Sequence, residues 1–77
     1  MMPLSMAASG ETMVVTGIRG GFGMRRRMAD LGLNIGMCVT VVSAGYNCPL
    51  LVDLKGARYA LDRRLAHHVF VEPLRLS

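Results

Sequence analysis

The chain has 77 residues, of which 52% are apolar and 18% charged, and its formal net charge is +4. That length holds one small domain, and that composition lies far from the disordered regime. No run approaches the ~20 consecutive apolar residues of a membrane-spanning helix, and two cysteines are too few for a disulfide scaffold.

The first ten residues, MMPLSMAASG, lack the basic region and long apolar stretch of a secretory leader, which points to a cytoplasmic protein. Residues 11–18, ETMVVTGI, read as a strand with Val14, Val15 and Ile18 as its apolar members. Gly20-Gly21 ends it. From Phe22 to Leu31 the period changes, and Met24, Met28 and Leu31 fall on one helical face, with Arg25, Arg26 and Asp30 mostly away from it. Gly32 suits the left-handed position after the helix, and Leu33 offers the apolar contact of a Schellman ending.

Strands follow at 37–42 (MCVTVV), 49–54 (PLLVDL), 57–61 (ARYAL) and 68–71 (HVFV), with a polar loop SAGYNC and a tight turn at Lys55-Gly56. Leu50, Val52 and Leu54 share one face of their strand, Leu51 and Asp53 the other. Asp62 caps a single helical turn of residues 63–66. With no internal repeat or linker, residues 1–77 form one domain, its core at about 3–72 and its tail at 73–77. Five short strands with tight turns predict a mainly β fold: a small five-stranded barrel with one short helix inserted after the first strand.

The chemistry-bearing residues are sparse. GIRGGFG contains neither a P-loop nor a complete dinucleotide-binding glycine pattern, so these glycines read as a turn. Arg25, Arg26 and Arg27 fan across about 200° of a helix and cannot all face one ligand. They read as a solvated face or as a surface for an acidic partner. The carboxylates Glu11, Asp30, Asp53, Asp62 and Glu72 are scattered, and no nucleophile–base pair is evident, so no catalytic residue is expected. His67 and His68 would point to opposite sides of a strand. Hairpin geometry sets Cys38 opposite about residue 53 and roughly 17 Å from Cys48, too far for a disulfide or a shared metal. Cys38 reads as a small core residue, Cys48 as a loop thiol, and Met24 and Met28 as core filler. No metal site and no cofactor are expected.

The order of these segments resembles the ferrous iron transport protein A (FeoA) family of small cytoplasmic SH3-like β-barrels. The resemblance runs over residues 3–71, through PLSMAASGE, VVTGIRGG, RRRMADLGLNIG, PLLVDLKG, ARYAL and AHHVFV. The sequence departs at Cys48 and at the His67-His68 pair, which leaves metal binding open. The resemblance implies an accessory or regulatory role in ferrous iron uptake, beside a large permease, ferrous iron transport protein B, whose cytoplasmic portion includes a GTP-binding domain. The protein would then be peripheral to the membrane through the permease. On that reading Arg25 and Arg26 supply charge to the partner surface, and Leu33, or an apolar neighbour left exposed, supplies the anchor. Two alternatives stand beside it. A nucleic-acid-binding barrel is favoured by charge but short of stacking aromatics. A free-standing SH3-like regulatory domain like those of metal-responsive repressors would lack its helix-turn-helix.

Overall fold

A computed structural model describes residues 1–45 and 48–74. The expected loop residues 46–47 and the last three residues of the expected tail lie outside the described residues.

Six antiparallel strands form one sheet. They are β1 (Met2–Pro3), β2 (Thr12–Ile18), β3 (Cys38–Ser43), β4 (Leu50–Leu54), β5 (Ala57–Leu61) and β6 (Val69–Pro73), in the order β1-β6-β2-β3-β4-β5. The five expected strands are present, and β1 is an addition. It pairs Met2 with Val71 and Pro3 with Phe70. A two-residue strand containing proline has no period to read, and its partner is almost the whole chain away.

Strands β2, β3, β4 and β6 alternate as half-buried strands must. Met13 and Val15 of β2, Val39 and Val41 of β3, Leu50, Val52 and Leu54 of β4, and Val69 and Val71 of β6 point into one core. Two bulges bend the sheet around it. Thr16 is the extra residue between the pairs Val15–Val71 and Gly17–Phe70, and Val42 the extra residue between Val41–Val52 and Ser43–Leu51. Such insertions raise local twist and let a sheet curl. The Thr16 hydroxyl donates to the Phe70 carbonyl at 3.3 Å, so the first bulge carries its own polar tie.

The β3–β4 register differs from the expected one, already at the pair Ser43–Leu51 beside the loop. Asp53 faces Thr40, not Cys38, and Cys38 instead pairs with Val14 of β2. Cys38 is exposed rather than a core residue, because Val39 and Val41 take the inward positions.

A 3-10 turn (Leu4–Met6), which follows β1, and a short helix α2 (Arg63–Ala66), which follows β5, pack together. Leu4, Ala7 and Ala66 enter the core there. Asp62 caps α2 as expected, its carboxylate accepting the Arg64 N–H at 2.8 Å. The helix α1 (Gly21–Asp30) packs on the core through buried Met28 and half-buried Met24 and Leu31. No side-chain polar atom is left buried without a partner among the described residues.

Candidate functional site

The helix α1 presents two unlike faces. At ~100° per residue, Met24, Met28 and Leu31 fall on the side that meets the core. Phe22, Arg25 and Arg26 fall on the opposite side, with Phe22 between the two arginines. Arg25, Arg26 and Arg27 are all exposed. Phe22 is 92% exposed, the highest value among the large apolar side chains described.

The turn into the helix fixes where Phe22 stands. Gly20 has φ 113, and a Cβ there would come within 3.1 Å of the Met24 side chain. Only glycine lets β2 break so closely against the first helical turn. Arg19, just before it, places its guanidinium 5.3 Å from the centre of the Phe70 ring, a cation–π arrangement that holds this arginine beside the barrel. A shallow groove lined by Ile18, Arg19, Phe22 and Arg25 results. One aromatic ring stands out from a basic surface whose nearest apolar neighbours face inward.

Leu33 is a correction to the expected site. It is fully buried. The Schellman closure that ends α1 carries it under the helix, so it cannot meet a partner. The exposed apolar residue on the arginine face is Phe22, which sequence reasoning used only to mark the helix start. The signal available was its position three and four residues before Arg25 and Arg26, off the Met24–Met28 stripe.

Several of the remaining polar residues are engaged with the backbone. Glu11 accepts the Ala8 N–H at 2.7 Å, Asp53 accepts the Gly56 N–H at 2.9 Å, and Asp62 caps α2. Glu72 lies 3.8 Å from the N-terminal ammonium. Arg63 donates to the carbonyls of Ser5, Gly45 and Cys48, tying three separate segments together. His67 closes α2 with its Nδ1 3.1 Å from the Ser5 hydroxyl, and His68 sits half-buried beside it, so neither belongs to a strand. Among the described residues no three His, Cys, Asp or Glu side chains gather where they could share a metal ion. No described helix is long and apolar enough to cross a membrane.

Comparison with known proteins gives a consistent family. Residues 2–73 match the model of the FeoA domain. A protein of Methanocaldococcus jannaschii, assigned by name as Fe(2+) transport protein A, is 36% identical over 72 residues, covering 94% of this chain and 87% of its own. The crystal structure of an iron uptake regulatory protein (FeoA) superposes with a TM-score of 0.88 at 30% identity, covering 95% of this chain and 96% of that one. The zinc-complexed FeoA of Stenotrophomonas maltophilia, described as an SH3 domain protein, superposes with a TM-score of 0.78 at 30% identity, covering 94% and 91%.

Proposed function

The chain belongs to the FeoA family of ferrous iron transport-associated proteins, and from that premise we propose that it is a cytoplasmic accessory protein that docks on its iron permease. The partner is the cytoplasmic portion of ferrous iron transport protein B, and the docking face is the outer side of α1. The protein then regulates uptake from the membrane surface without itself carrying iron or catalysing a reaction.

The observation that carries this reading is the exposure of Phe22, 92%, between Arg25 and Arg26. Burying an exposed phenylalanine is worth about 1.5–3 kcal/mol. A small adaptor has little area to offer, so one aromatic anchor in a partner pocket carries a large share of its affinity. Arginines around such an anchor chiefly speed encounter with an acidic surface.

Binding kinetics against the permease's cytoplasmic domain, with and without guanine nucleotide, test the reading. Replacing Arg25 and Arg26 together with glutamate slows association and weakens its salt dependence. Phe22→Ala raises the off-rate about tenfold or more, which is ~1.4 kcal/mol of affinity. Parent-like association of the double variant at low salt defeats the electrostatic half, and an unchanged off-rate for Phe22→Ala defeats the anchor. Absence of binding in every nucleotide state defeats the docking itself.

A further inference from the structure

The edge of β5 is a second unpartnered surface. β5 ends the sheet, joined to β4 by the two-residue turn Lys55-Gly56, whose φ values of 53 and 83 are those of a type I′ hairpin. Such a turn closes on a hydrogen-bonded pair, here Leu54 and Ala57, and the pairs then alternate along the ladder. Val52–Tyr59 is therefore hydrogen-bonded, while Asp53–Arg58 and Leu51–Ala60 are not. The N–H and C=O groups of Arg58 and Ala60 turn away from β4. Among the described residues no other backbone group takes them, and both residues are exposed.

A groove runs beside this free edge, lined by Leu31, Met37, Leu54 and Tyr59 together with Asn34 and Lys55. Tyr59 pairs with buried Val52 and shares its side of the sheet, whereas Arg58 shares the outer side with Asp53. A strand added to β5 meets two different surfaces on alternate residues: largely apolar on the groove side, where Lys55 is the one charged residue, and Arg58 beside Asp53 on the outer side.

We propose that the β5 edge binds an extended segment of another protein by strand addition, and that this segment alternates apolar and acidic residues. Charge selects the occupant. The acids nearest the edge are already engaged, Asp53 with the Gly56 N–H and Asp62 with the Arg64 N–H. Lys55, Arg58 and Arg64 are exposed and join no ion pair among the described residues. A second copy of this chain would bring the same cations against them, and like charges along an edge are a barrier to edge-to-edge pairing. An acidic strand places a carboxylate opposite Arg58, a favourable cross-strand pair. This surface is separate from the α1 face, so its failure leaves the permease-docking reading untouched.

A blocked peptide alternating valine and glutamate is the probe, and amide hydrogen exchange resolved by NMR is the readout. At saturating peptide the Arg58 and Ala60 amides gain protection of about tenfold or more, and shift changes stay within β5 and the Leu31–Met37 side of the groove. N-methylating the peptide's glutamate amides, which face the edge, abolishes binding. Ala60→Pro removes only an outward N–H, which an edge strand tolerates, and weakens binding at least about tenfold. Arg58→Glu weakens it equally and serves as the readout should the proline variant fold poorly. The proposal is overturned by unprotected Arg58 and Ala60 amides at ~1 mM peptide, by equal binding of a valine–lysine peptide, or by protection of the two amides through self-association of the free protein.

Discussion

The backbone N–H of Leu33 donates to the carbonyl of Met28 at 2.8 Å, and both side chains are fully buried. With the Gly32 N–H donating to the Ala29 carbonyl at 2.9 Å, this is a complete Schellman closure together with its apolar contact. The closure and the core are thus one feature: the residue that ends α1 is also the residue that fastens the helix to the barrel. Leu33→Ala removes that fastening and leaves a cavity, so a loss of about 2–5 kcal/mol in unfolding free energy is expected. Denaturant unfolding measures it. A loss near zero would show that the site collapses freely or that the side chain is exposed in solution.

Gly32 has φ 89, and a Cβ there would meet nothing within 4 Å. Substitution at this position therefore tests backbone strain without a clash. Gly32→Val should cost at least about 1 kcal/mol, since a β-branched residue is poorly tolerated in the left-handed region. Gly32→Asn should cost less, because asparagine visits that region readily. Equal melting temperatures for the two variants would refute the strain account.

What the sequence disclosed and what it hid divide along locality. The α1 ending was legible because Leu31, Gly32 and Leu33 are adjacent and their roles are set within two turns of chain. The Asp62 cap was legible for the same reason. The inward face of β4 followed from strict alternation. Cys38 misled because its strand's alternation, MCVTVV, leaves two readings of the inward face, and the loop closes β3 onto β4 at Ser43–Leu51, off the expected register. Leu33 is the expected anchor, yet its Schellman role already requires an inward apolar contact. The Arg63 tie was invisible, because all three acceptors are backbone carbonyls supplied by distant segments, and carbonyls leave no mark in a sequence. The free edge of β5 was hidden by the expectation of a closed barrel.

Lys55, with φ 53, is the one non-glycine residue at positive φ among those described. It occupies the first central position of the type I′ turn, where both central residues need the left-handed conformation. A lysine there costs roughly 1 kcal/mol relative to a residue at ease in that region. Lys55→Asn and Lys55→Gly should each raise the melting temperature, the asparagine variant more, because glycine also enlarges the freedom of the unfolded chain. Thermal unfolding decides it, and a lowered melting temperature for Lys55→Asn would mean that the lysine side chain contributes contacts that outweigh its backbone cost.

Arg63 holds the side of the barrel where no strand pairs β1 to β5 among the described residues. Its Nε donates to the Cys48 carbonyl at 3.2 Å, one terminal nitrogen donates to Ser5 at 3.2 Å, and the other donates to Gly45. These acceptors belong to the 3-10 turn and to the loop between β3 and β4, so one guanidinium joins both to α2. The geometry needs donors fanned from one plane, which arginine has and lysine lacks. Hydrogen bonds from a charged donor contribute about 1.5–3 kcal/mol each when half-buried, and losing several together is not additive. Arg63→Met keeps most of the aliphatic length and removes every donor, so it should destabilise the fold by about 2–3 kcal/mol. Arg63→Lys should recover only part of that, since one ammonium cannot serve three separated carbonyls at once. Local hydrogen exchange gives the sharper test. In Arg63→Met the amides of Ala7 and His67, which close the 3-10 turn and α2 by donating to Leu4 and Arg63 carbonyls, should lose protection before those of β2 and β6. Uniform loss across the whole barrel would show instead that Arg63 contributes only to global stability and does not act as a local tie.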